Sequence, residues 1–391
     1  MGKGPLAGMK AVEFAGIGPG PMCGMLLADL GAEELRLDRL VASGLGIERA
    51  PKFDLLNRGK RTVSVDLKSA EGIAFARRVV AASDALIEGF RPGTMERLGL
   101  GPDVCLAEHP KLVYGRVTGF GQKGPLAHAA GHDLNYIALS GALHAIGREG
   151  AAPTPPLNLV GDFGGGGLML AYGMLAALWC VQRGGQGQVV DAAMVDGAAM
   201  LMTSMFGLFG AGSHGAARGT NLLDSGAPHY EVYRCADGGY VSVAPIEPKF
   251  RAVLFERLGL AADAMDFDDA SRWRENKARL AAVFATRTRA QWCELLEGSD
   301  ACFAPVLAPQ EAHLHPHNRE RETFVDIAGV RQPAPAPRFA GTPAALPRPP
   351  HTDDAAALEQ LRRWGIDAAQ IESLVQSGQL RAGPPQRATS P

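Results

Sequence analysis

The chain has 391 residues, enough for two domains or for one large domain with a substantial insertion. Hydrophobic residues make up 46% of it and charged residues 20%, which is typical of a globular protein with a buried core. The net charge of -2 excludes a general nucleic-acid binder, because no basic excess is available to neutralise phosphates. A local basic pocket for a phosphorylated small molecule stays possible.

The six cysteines contain no C-x-x-C pair, and no histidines stand near them at zinc-finger spacing. The first residues contain no apolar segment of the signal-peptide type. We therefore expect reduced thiols, no metal and a cytoplasmic protein. Two uncharged stretches, Phe163–Val181 and Gly197–Ser213, raise the question of a membrane. The first contains five glycines and follows Asp162, which favours buried core helices over a membrane span.

The first part of the chain alternates between apolar strand patterns and amphipathic helix patterns. We predict five strands over residues 10–14, 34–39, 61–67, 85–87 and 112–118, and helices over 22–30, 70–80 and 95–98. This alternation is typical of an α/β fold with a Rossmann-like parallel sheet and right-handed crossovers. Ligands bind beyond the carboxyl ends of the strands in such sheets.

Basic and glycine-rich residues follow several of these strands. Arg39, Arg91 and the Gly119–Gly121 turn stand at predicted carboxyl ends, and Asn57–Arg61 adds a further basic group. Each could hold a phosphate, although any one of them alone is more often solvated surface charge. The turn Gly16–Pro21 is not a dinucleotide fingerprint, because proline stands where the third glycine is needed.

The amino-acid pattern of the second half of the chain changes after a polar linker with scattered glycines at 215–227. A hairpin over 230–233 and 239–245, followed by helices over 249–258, 271–284 and 289–296, predicts a smaller α+β domain. Many prolines between 333 and 350 favour an extended segment. A helix pair over 354–364 and 367–376 and a disordered tail would end the chain. The predicted domains are 1–214 and 225–320, with 321–380 returning to complete the larger one.

Four side chains could carry proton transfer. His132 can both give and take a proton near neutral pH, and Asp133 follows it directly. Asp162 stands in an apolar, glycine-rich setting where burial would raise its pKa. Glu247 lies between two prolines at a strand-to-helix turn. Each also has a structural alternative. His132 and Asp133 could form a hydrogen-bonded structural pair with the histidine in the core, Asp162 could cap a helix, and Glu247 could be a first-turn glutamate favoured by the helix dipole.

Seven motifs in this order resemble those of the family III CoA transferases, also called the CaiB/BaiF superfamily. They are Leu6–Lys10, Gly16–Pro21, Leu27–Ala32, Asn57–Arg61, Phe90–Gly93, Gly119–Gln122 and Val190–Met194. The resemblance runs from about residue 5 to about residue 375.

Three further motifs are similar to the α-methylacyl-CoA racemase branch of that family. They are Gly131-His132-Asp133, the stretch from Asn158 to Gly166 around Asp162, and Ile246-Glu247-Pro248. Members that transfer CoA use a nucleophilic aspartate and do not normally carry a histidine directly before the aspartate of the first motif. One departure is Gly161, where the branch would have alanine; it exchanges one small residue for another.

The resemblance implies racemisation at C2 of a 2-methylacyl-CoA by 1,1-proton transfer through an enolate. His132 and Asp162 would be the two acid/base groups, Glu247 would pair with His132 from the other subunit of an interlocked homodimer, and Asp133 would help to orient the site. The phosphates and the thioester would meet six residues: Arg39, Arg58, Arg61, Arg91, Gly119 and Gly121. The resemblance implies no cofactor beyond the CoA of the substrate, and neither nucleic acid nor membrane as a partner.

Two other functions stay open from the sequence. The first is CoA transfer between acids, with Asp162 as the nucleophile. The second is a non-catalytic CoA-binding protein, in which the same residues would serve binding alone.

Overall fold

The computed structural model describes residues 4–261, 263–351 and 354–386. The chain divides into two compact units. The first comprises Met1–Ser140, Leu157–Leu201 and Glu322–Pro391, and the second comprises Gly141–Pro156 and Met202–Arg321. The domain boundaries predicted from the sequence concern independently folding parts and stay a prediction.

Twelve strands lie in the described part of the chain. In chain order they are β1 Lys10–Phe14, β2 Glu33–Asp38, β3 Arg61–Val65, β4 Ala85–Glu88, β5 Val113–Thr118, β6 Val189–Ala193, β7 Glu231–Arg234, β8 Tyr240–Val243, β9 Phe303–Val306, β10 Phe324–Ile327, β11 Val330–Pro333 and β12 Leu380–Ala382.

The described part of the chain also contains fifteen α-helices. In chain order they are α1 Pro19–Asp29, α2 Ala70–Ala81, α3 Thr94–Arg97, α4 Pro102–Glu108, α5 Asp133–Leu139, α6 Ala142–Ala145, α7 Met169–Gln182, α8 Met194–Leu201, α9 Thr203–Gly210, α10 Pro248–Leu258, α11 Trp273–Phe284, α12 Arg289–Leu296, α13 Pro316–Glu320, α14 Asp354–Arg363 and α15 Ala368–Gln376. A π-helical segment, Leu159–Leu168, leads directly into α7.

The first unit is built on a seven-stranded sheet in the order β12-β3-β2-β1-β4-β5-β6. Strands β1 to β6 are parallel and follow the order 3-2-1-4-5-6 of doubly wound nucleotide-binding sheets, which confirms the predicted α/β class with a large parallel sheet. Val12 of β1 is opposite Leu35 of β2 and Leu86 of β4, and all three are fully buried. Helices cover both faces of the sheet, and buried apolar clusters lie on each face. The strands also carry buried charged side chains, among them Glu13 of β1 and Glu34 of β2.

Helix α7 rests one face on this sheet. Leu170, Ala171, Met174 and Ala177 are buried, whereas Tyr172 is 71% exposed and Trp179 is 65% exposed. The prediction of a buried core helix is therefore correct for one face only. Among the described residues one helical stretch, Leu159–Gln182, is long and apolar enough to cross a membrane, by length and composition alone.

The second unit contains the antiparallel sheet β7-β8-β9. The predicted hairpin is confirmed as β7 and β8, with Tyr233 opposite Val241. Strand β9, which pairs with β8, is not foreseen by the sequence patterns. Helices α10, α11 and α12 confirm the predicted helices and pack around Phe284 and Trp292, which are buried.

The last part of the chain differs from expectation at two places. Residues 324–333 form the antiparallel hairpin β10–β11, which the patterns do not predict. The predicted tail after Gln376 is wrong in part, because Leu380–Ala382 pairs antiparallel with Val63–Val65 at the edge of the large sheet. Residues 387–391, the end of that predicted tail, lie outside the described residues.

One buried side chain of the second unit gives a test by pH. His229 is 1% exposed and stacks on Phe267 at 4.9 Å between ring centroids. Neither ring nitrogen has a hydrogen-bond partner within the described chain. Burial first and the nearby Arg251 second lower the pKa of His229 to about 4, against an opposing effect of Asp268.

We expect His229→Phe to make the protein more resistant to acid. The unfolded imidazole binds a proton below pH 6.5 but the folded one does so only below about 4, so folding loses stability as the pH falls between these values. A shift of this size corresponds to about 3 kcal/mol at the acid end. Urea unfolding between pH 7 and 4.5 measures it. Parallel losses of unfolding free energy in the wild type and the variant would contradict the expectation.

Candidate active site

Asp162 lies on the π-helical segment Leu159–Leu168, in its first turn. In this geometry Phe163 N donates to Asn158 O at 3.3 Å, one residue further back than in an α-helix. Asp162 is therefore not the helix cap that its sequence context allows. Helices of this type are rare, and those that occur are often found at functional sites.

The glycines after Asp162 let neighbouring helices approach closely. A Cβ on Gly165 would lie 2.7 Å from Ala198 N, and a Cβ on Gly197 would lie 1.9 Å from Gly165 O. Gly166 and Gly167 are packed in the same way against α1 and α8, with Pro19 a neighbour of both. Gly165, Gly166 and Gly167 are buried against backbone and side chains, so these three glycines serve the packing of the helices.

The carboxyl group of Asp162 is half-buried among polar neighbours. Asn158 Nδ2 donates to Asp162 Oδ2 at 3.2 Å. A Cβ added to Gly18 would lie 3.2 Å from the same oxygen, so the Gly16–Pro21 turn covers this side of the carboxyl group. Burial raises the pKa of Asp162; the Asn158 hydrogen bond opposes this rise, Asp133 adds to it, and a protonated His132 opposes it.

His132 and Asp133 begin helix α5. His132 is the N-cap residue, and its backbone N–H donates to Asn135 Oδ1 at 3.0 Å. Its side chain is exposed, so the satisfied core histidine is not what the structure contains. Asp133 is 5% exposed and its Oδ1 accepts from Asp162 N at 2.7 Å. Because Asp133 adjoins His132 in sequence and bonds to the backbone of Asp162, it ties the two acid/base candidates together.

Tyr136 and Asn158 belong to this site although the sequence patterns assigned them no role. Tyr136 O–H donates to Gly131 O, and its ring meets Phe120 edge-on at 5.0 Å. Burial, and after it the carboxylate of Asp162, raise the pKa of Tyr136 to about 12, with Arg91 acting against them. The signal that could have found both residues is spacing, since Tyr136 and Asn158 stand four residues from His132 and Asp162, respectively.

The four candidate arginines fall at opposite ends of the sheet. Arg39 and Arg91 follow the carboxyl ends of β2 and β4 and are exposed. Arg61 is the first residue of β3 and pairs with Leu35, near the start of β2, so it lies toward the amino ends of the strands.

Arg58 is 4% exposed and is bound to Asp29, with Nε–Oδ1 at 3.1 Å and Nη2–Oδ2 at 2.5 Å. Its Nη1 donates to Gln332 Oε1 at 3.0 Å and to Pro333 O at 2.6 Å. The geometry gives Arg58 a structural role and argues against a phosphate contact, because all three guanidinium nitrogens are already engaged.

The turn after β5 also lies at the carboxyl ends of the strands. Gly119 has room for no side chain, because a Cβ would lie 2.1 Å from the ring of Tyr136. Gly121 has a φ of 84° and its N–H donates to Thr118 Oγ1 at 3.1 Å. The N–H groups of Gly121 and Asp162 are therefore both engaged within the chain.

Glu247 belongs to the second unit, at the N-cap of α10, and its side chain is exposed. This is the strand-to-helix turn expected from the sequence. Its pairing with His132 stays a prediction.

The geometry brings together a histidine, a carboxyl group of raised pKa and a tyrosine at the carboxyl edge of a parallel sheet. Among the described residues no three His, Cys, Asp or Glu side chains form a group that could hold a metal ion. Such an arrangement can take a proton from a carbon acid and return one.

Comparison with known proteins extends these observations. The family model described as CoA-transferase family III matches residues 6–354. The chain is 44% identical to the alpha-methylacyl-CoA racemase of Mus musculus over 386 residues, covering 96% of this chain and 99% of the mouse protein. It is 43% identical to the Homo sapiens protein of the same name over 397 residues, with the same coverage. A crystal structure of a CAIB/BAIF family protein from Brucella suis matches with a TM-score of 0.77 and 26% identity, covering 93% of this chain and 100% of that one.

Proposed function

The chain belongs to CoA-transferase family III, and on that premise we propose that it racemises 2-methylacyl-CoA thioesters at C2. Its similarity over almost its whole length to proteins named alpha-methylacyl-CoA racemase supports this reaction. The observation that carries the proposal is the hydrogen bond from Asp162 N to Asp133 Oδ1, because it links Asp162 to the residue that directly follows His132. Asp162 is also a half-buried carboxyl group of raised pKa.

The proposed reaction is a 1,1-proton transfer. The thioester carbonyl acidifies C2, and one of the two groups, as the carboxylate or the neutral imidazole, removes the C2 proton to leave an enolate. The other group, which already carries a proton, delivers it to the opposite face of C2 and gives the other epimer. A carboxyl group whose pKa lies above its ordinary range suits this exchange, because its two protonation states become closer in energy near neutral pH.

The reaction requires no electron transfer, since one proton leaves and one proton returns. We therefore propose no redox cofactor. We also propose no metal, because the two acid/base groups account for both proton transfers, and CoA enters only as part of the substrate. Arg39 and Arg91, which are exposed at the carboxyl ends of the strands, are the better candidates for its phosphates. Gly121 would let the thioester approach the backbone of the same edge, whereas the Tyr136 ring fills the space beside Gly119.

We propose a homodimer in which Glu247 of one subunit pairs with His132 of the other. Exposed apolar side chains on one side of the first unit, among them Tyr172 and Trp179 of α7, support an association surface. Light scattering tests the dimer, and a monomer at micromolar concentration would contradict it. We also propose a cytoplasmic location and a place in fatty acid metabolism. Fractionation of cells tests the location.

Deuterium incorporation tests the proposed reaction. One epimer of a 2-methylacyl-CoA is incubated with the protein in deuterated water, across several chain lengths. We expect the other epimer to appear and C2 to take up deuterium, because the enolate is reprotonated by groups that exchange with solvent. If neither epimerisation nor uptake occurred with any chain length, the proposal would fail.

CoA transfer between acids is the second candidate, because the family name describes that activity. Asp162 would then be the nucleophile, and its carboxylate would displace the CoA thiolate from the donor acyl-CoA to form an acyl anhydride. The thiolate would next attack the Asp162 carbonyl, release the donor acid and leave an enzyme–CoA thioester. Hydroxylamine trapping followed by mass spectrometry of the peptide that contains Asp162 tests this reaction. A hydroxamate on Asp162 would favour transfer over racemisation.

A further inference from the structure

A buried ammonium group lies beneath helix α1 in the first unit. Lys60 is 3% exposed, and its Nζ makes three hydrogen bonds: to Glu13 Oε2 at 2.5 Å, to Asn57 Oδ1 at 3.0 Å and to Pro21 O at 2.9 Å. These are all the donors that an ammonium group has. The proposed reaction assigns no role to Lys60, and its sequence motif alone would suggest surface charge.

The acidic side of this group is packed against the helix. A Cβ on Gly24 would lie 2.3 Å from Glu13 Oε2 and 3.1 Å from both Glu34 Oε1 and Lys60 Cε. Glu34 is fully buried, and within the described chain neither of its carboxyl oxygens has a hydrogen-bond partner. Burial first, and the charge of Glu13 second, raise the pKa of Glu34, which favours its neutral form.

The remaining charges nearby pair mostly with one another. Arg36 Nη1 lies 2.6 Å from Asp38 Oδ2, while its Nε is 3.8 Å from Glu13 Oε1. Lys60 therefore makes the shortest ionic contact of Glu13. It also donates a hydrogen bond to the backbone of α1 at Pro21 O.

That backbone bond reaches the candidate active site. Pro21 is in the first turn of α1, and Gly18 is the N-cap of the same helix with a φ of 67°. Gly18 is the residue whose Cβ would lie 3.2 Å from Asp162 Oδ2. The turn that accepts the Lys60 hydrogen bond at Pro21 O is therefore the turn that covers the Asp162 carboxyl group at Gly18.

We propose that Lys60 is a positioning residue: through Pro21 O it holds the Gly16–Pro21 turn against Asp162 and so keeps water away from that carboxyl group. It touches neither substrate nor reacting atoms. Its kinetic consequence rests on the proposed racemisation, whereas its effect on Asp162 can be measured without any substrate.

The expected effect has a definite sign. The groups that face Asp162 are Asn158, Asp133, His132 and Tyr136, and none of them contacts Lys60. Loosening the turn leaves these groups in place and admits water to the carboxyl group. Because burial is the largest cause of the raised pKa of Asp162, that pKa should fall. A general loss of stability elsewhere would not move it.

Three variants separate positioning from charge balance. Lys60→Met removes the bond to Pro21 O but leaves the carboxylate of Glu13 buried without its nearest cation, which endangers folding. The double variant Glu13→Gln/Lys60→Met removes both charges and still lacks the bond to Pro21 O. Glu34→Gln is the matched control from the same buried group, because it changes a neighbouring side chain of the same size and leaves the three hydrogen bonds of Lys60 in place.

The measurement is a carbon-13 NMR titration of the Asp162 carboxyl carbon, assigned through its loss in Asp162→Asn. In Glu13→Gln/Lys60→Met we expect the midpoint to fall by about half a pH unit, roughly threefold in proton affinity, and in Glu34→Gln we expect the wild-type midpoint. A folded double variant with the wild-type midpoint would overturn the proposal.

The pH dependence of kcat/KM for deuterium exchange adds a second readout. The acidic limb should move to lower pH in the double variant, because ionised Asp162 persists to lower pH. If the wild-type enzyme is active and the acidic limb of the double variant does not move, the positioning role of Lys60 is contradicted. The proposed racemisation is unaffected by that result. A wild-type protein without exchange activity contradicts the proposed racemisation, and the NMR titration still decides on Lys60.

Discussion

Asp162→Asn and His132→Gln should each abolish racemisation while sparing deuterium exchange of one epimer, a different epimer in each variant. With one acid/base group gone, the other still removes the C2 proton that faces it and returns a deuteron to the same face. The lost exchange should be about 10³-fold slower, the size of effect that a positioned acid or base has. Proton NMR of each epimer in deuterated water measures both rates.

The comparison needs a carboxylate outside the site as a control. Asp103, an exposed first-turn residue of α4, serves this purpose, and Asp103→Asn should leave both rates at the wild-type level. Equal losses for both epimers in each variant would contradict a mechanism with two bases on opposite faces. They would instead indicate that Asp162 and His132 act together on a single proton.

Arg58→Met should destabilise the first unit by about 3–5 kcal/mol, because it leaves the carboxylate of Asp29 buried without its partner. Both side chains are almost fully buried, and the pair is bidentate. Burial already raises the pKa of Asp29, so its lone carboxyl group would take up a proton in mildly acidic solution. The destabilisation should therefore shrink as the pH falls. Urea unfolding at pH 7.5 and 5.5 measures the difference.

Two matched variants complete the experiment. Asp29→Leu/Arg58→Met removes both charges and should recover most of the unfolding free energy, since no buried charge is left alone. Arg91→Met removes an exposed guanidinium and should change the unfolding free energy by less than about 0.5 kcal/mol, while raising the KM for acyl-CoA. If Arg58→Met instead kept wild-type stability and raised KM, Arg58 would be a phosphate ligand.

Local patterns predicted the fold where each element is determined by nearby residues. The bounds of β1 and of α12 agree with the structure, because a short apolar run and a Thr288 capping box mark them in the sequence. Five strands were not predicted: β6, β9, β10, β11 and β12. Of these, β9 and β12 owe their conformation to distant partners. Leu380 becomes a strand residue only because Val65 offers it an edge, and nothing near Leu380 indicates this.

The candidate site was predicted in part, and the limits have a similar cause. His132, Asp133 and Asp162 were singled out together, and the structure joins them through the bond from Asp162 N to Asp133 Oδ1. The burial of Arg58 was not foreseen, because a guanidinium looks alike in sequence whether it is exposed or buried. Its partner Asp29 lies 29 residues earlier, on another element.

Strand β12 has a consequence for any shortened version of this chain. It lies antiparallel along β3, which would otherwise be an edge strand of the large sheet, and so occupies backbone groups on that edge. Without β12, the edge at Val63–Val65 would present free N–H and C=O groups to other molecules. Removing the residues after Ser377 would leave Asp162 and His132 in place but convert this edge into a template for intermolecular pairing. We therefore expect β12 to shield this edge from intermolecular pairing as well as to complete the sheet.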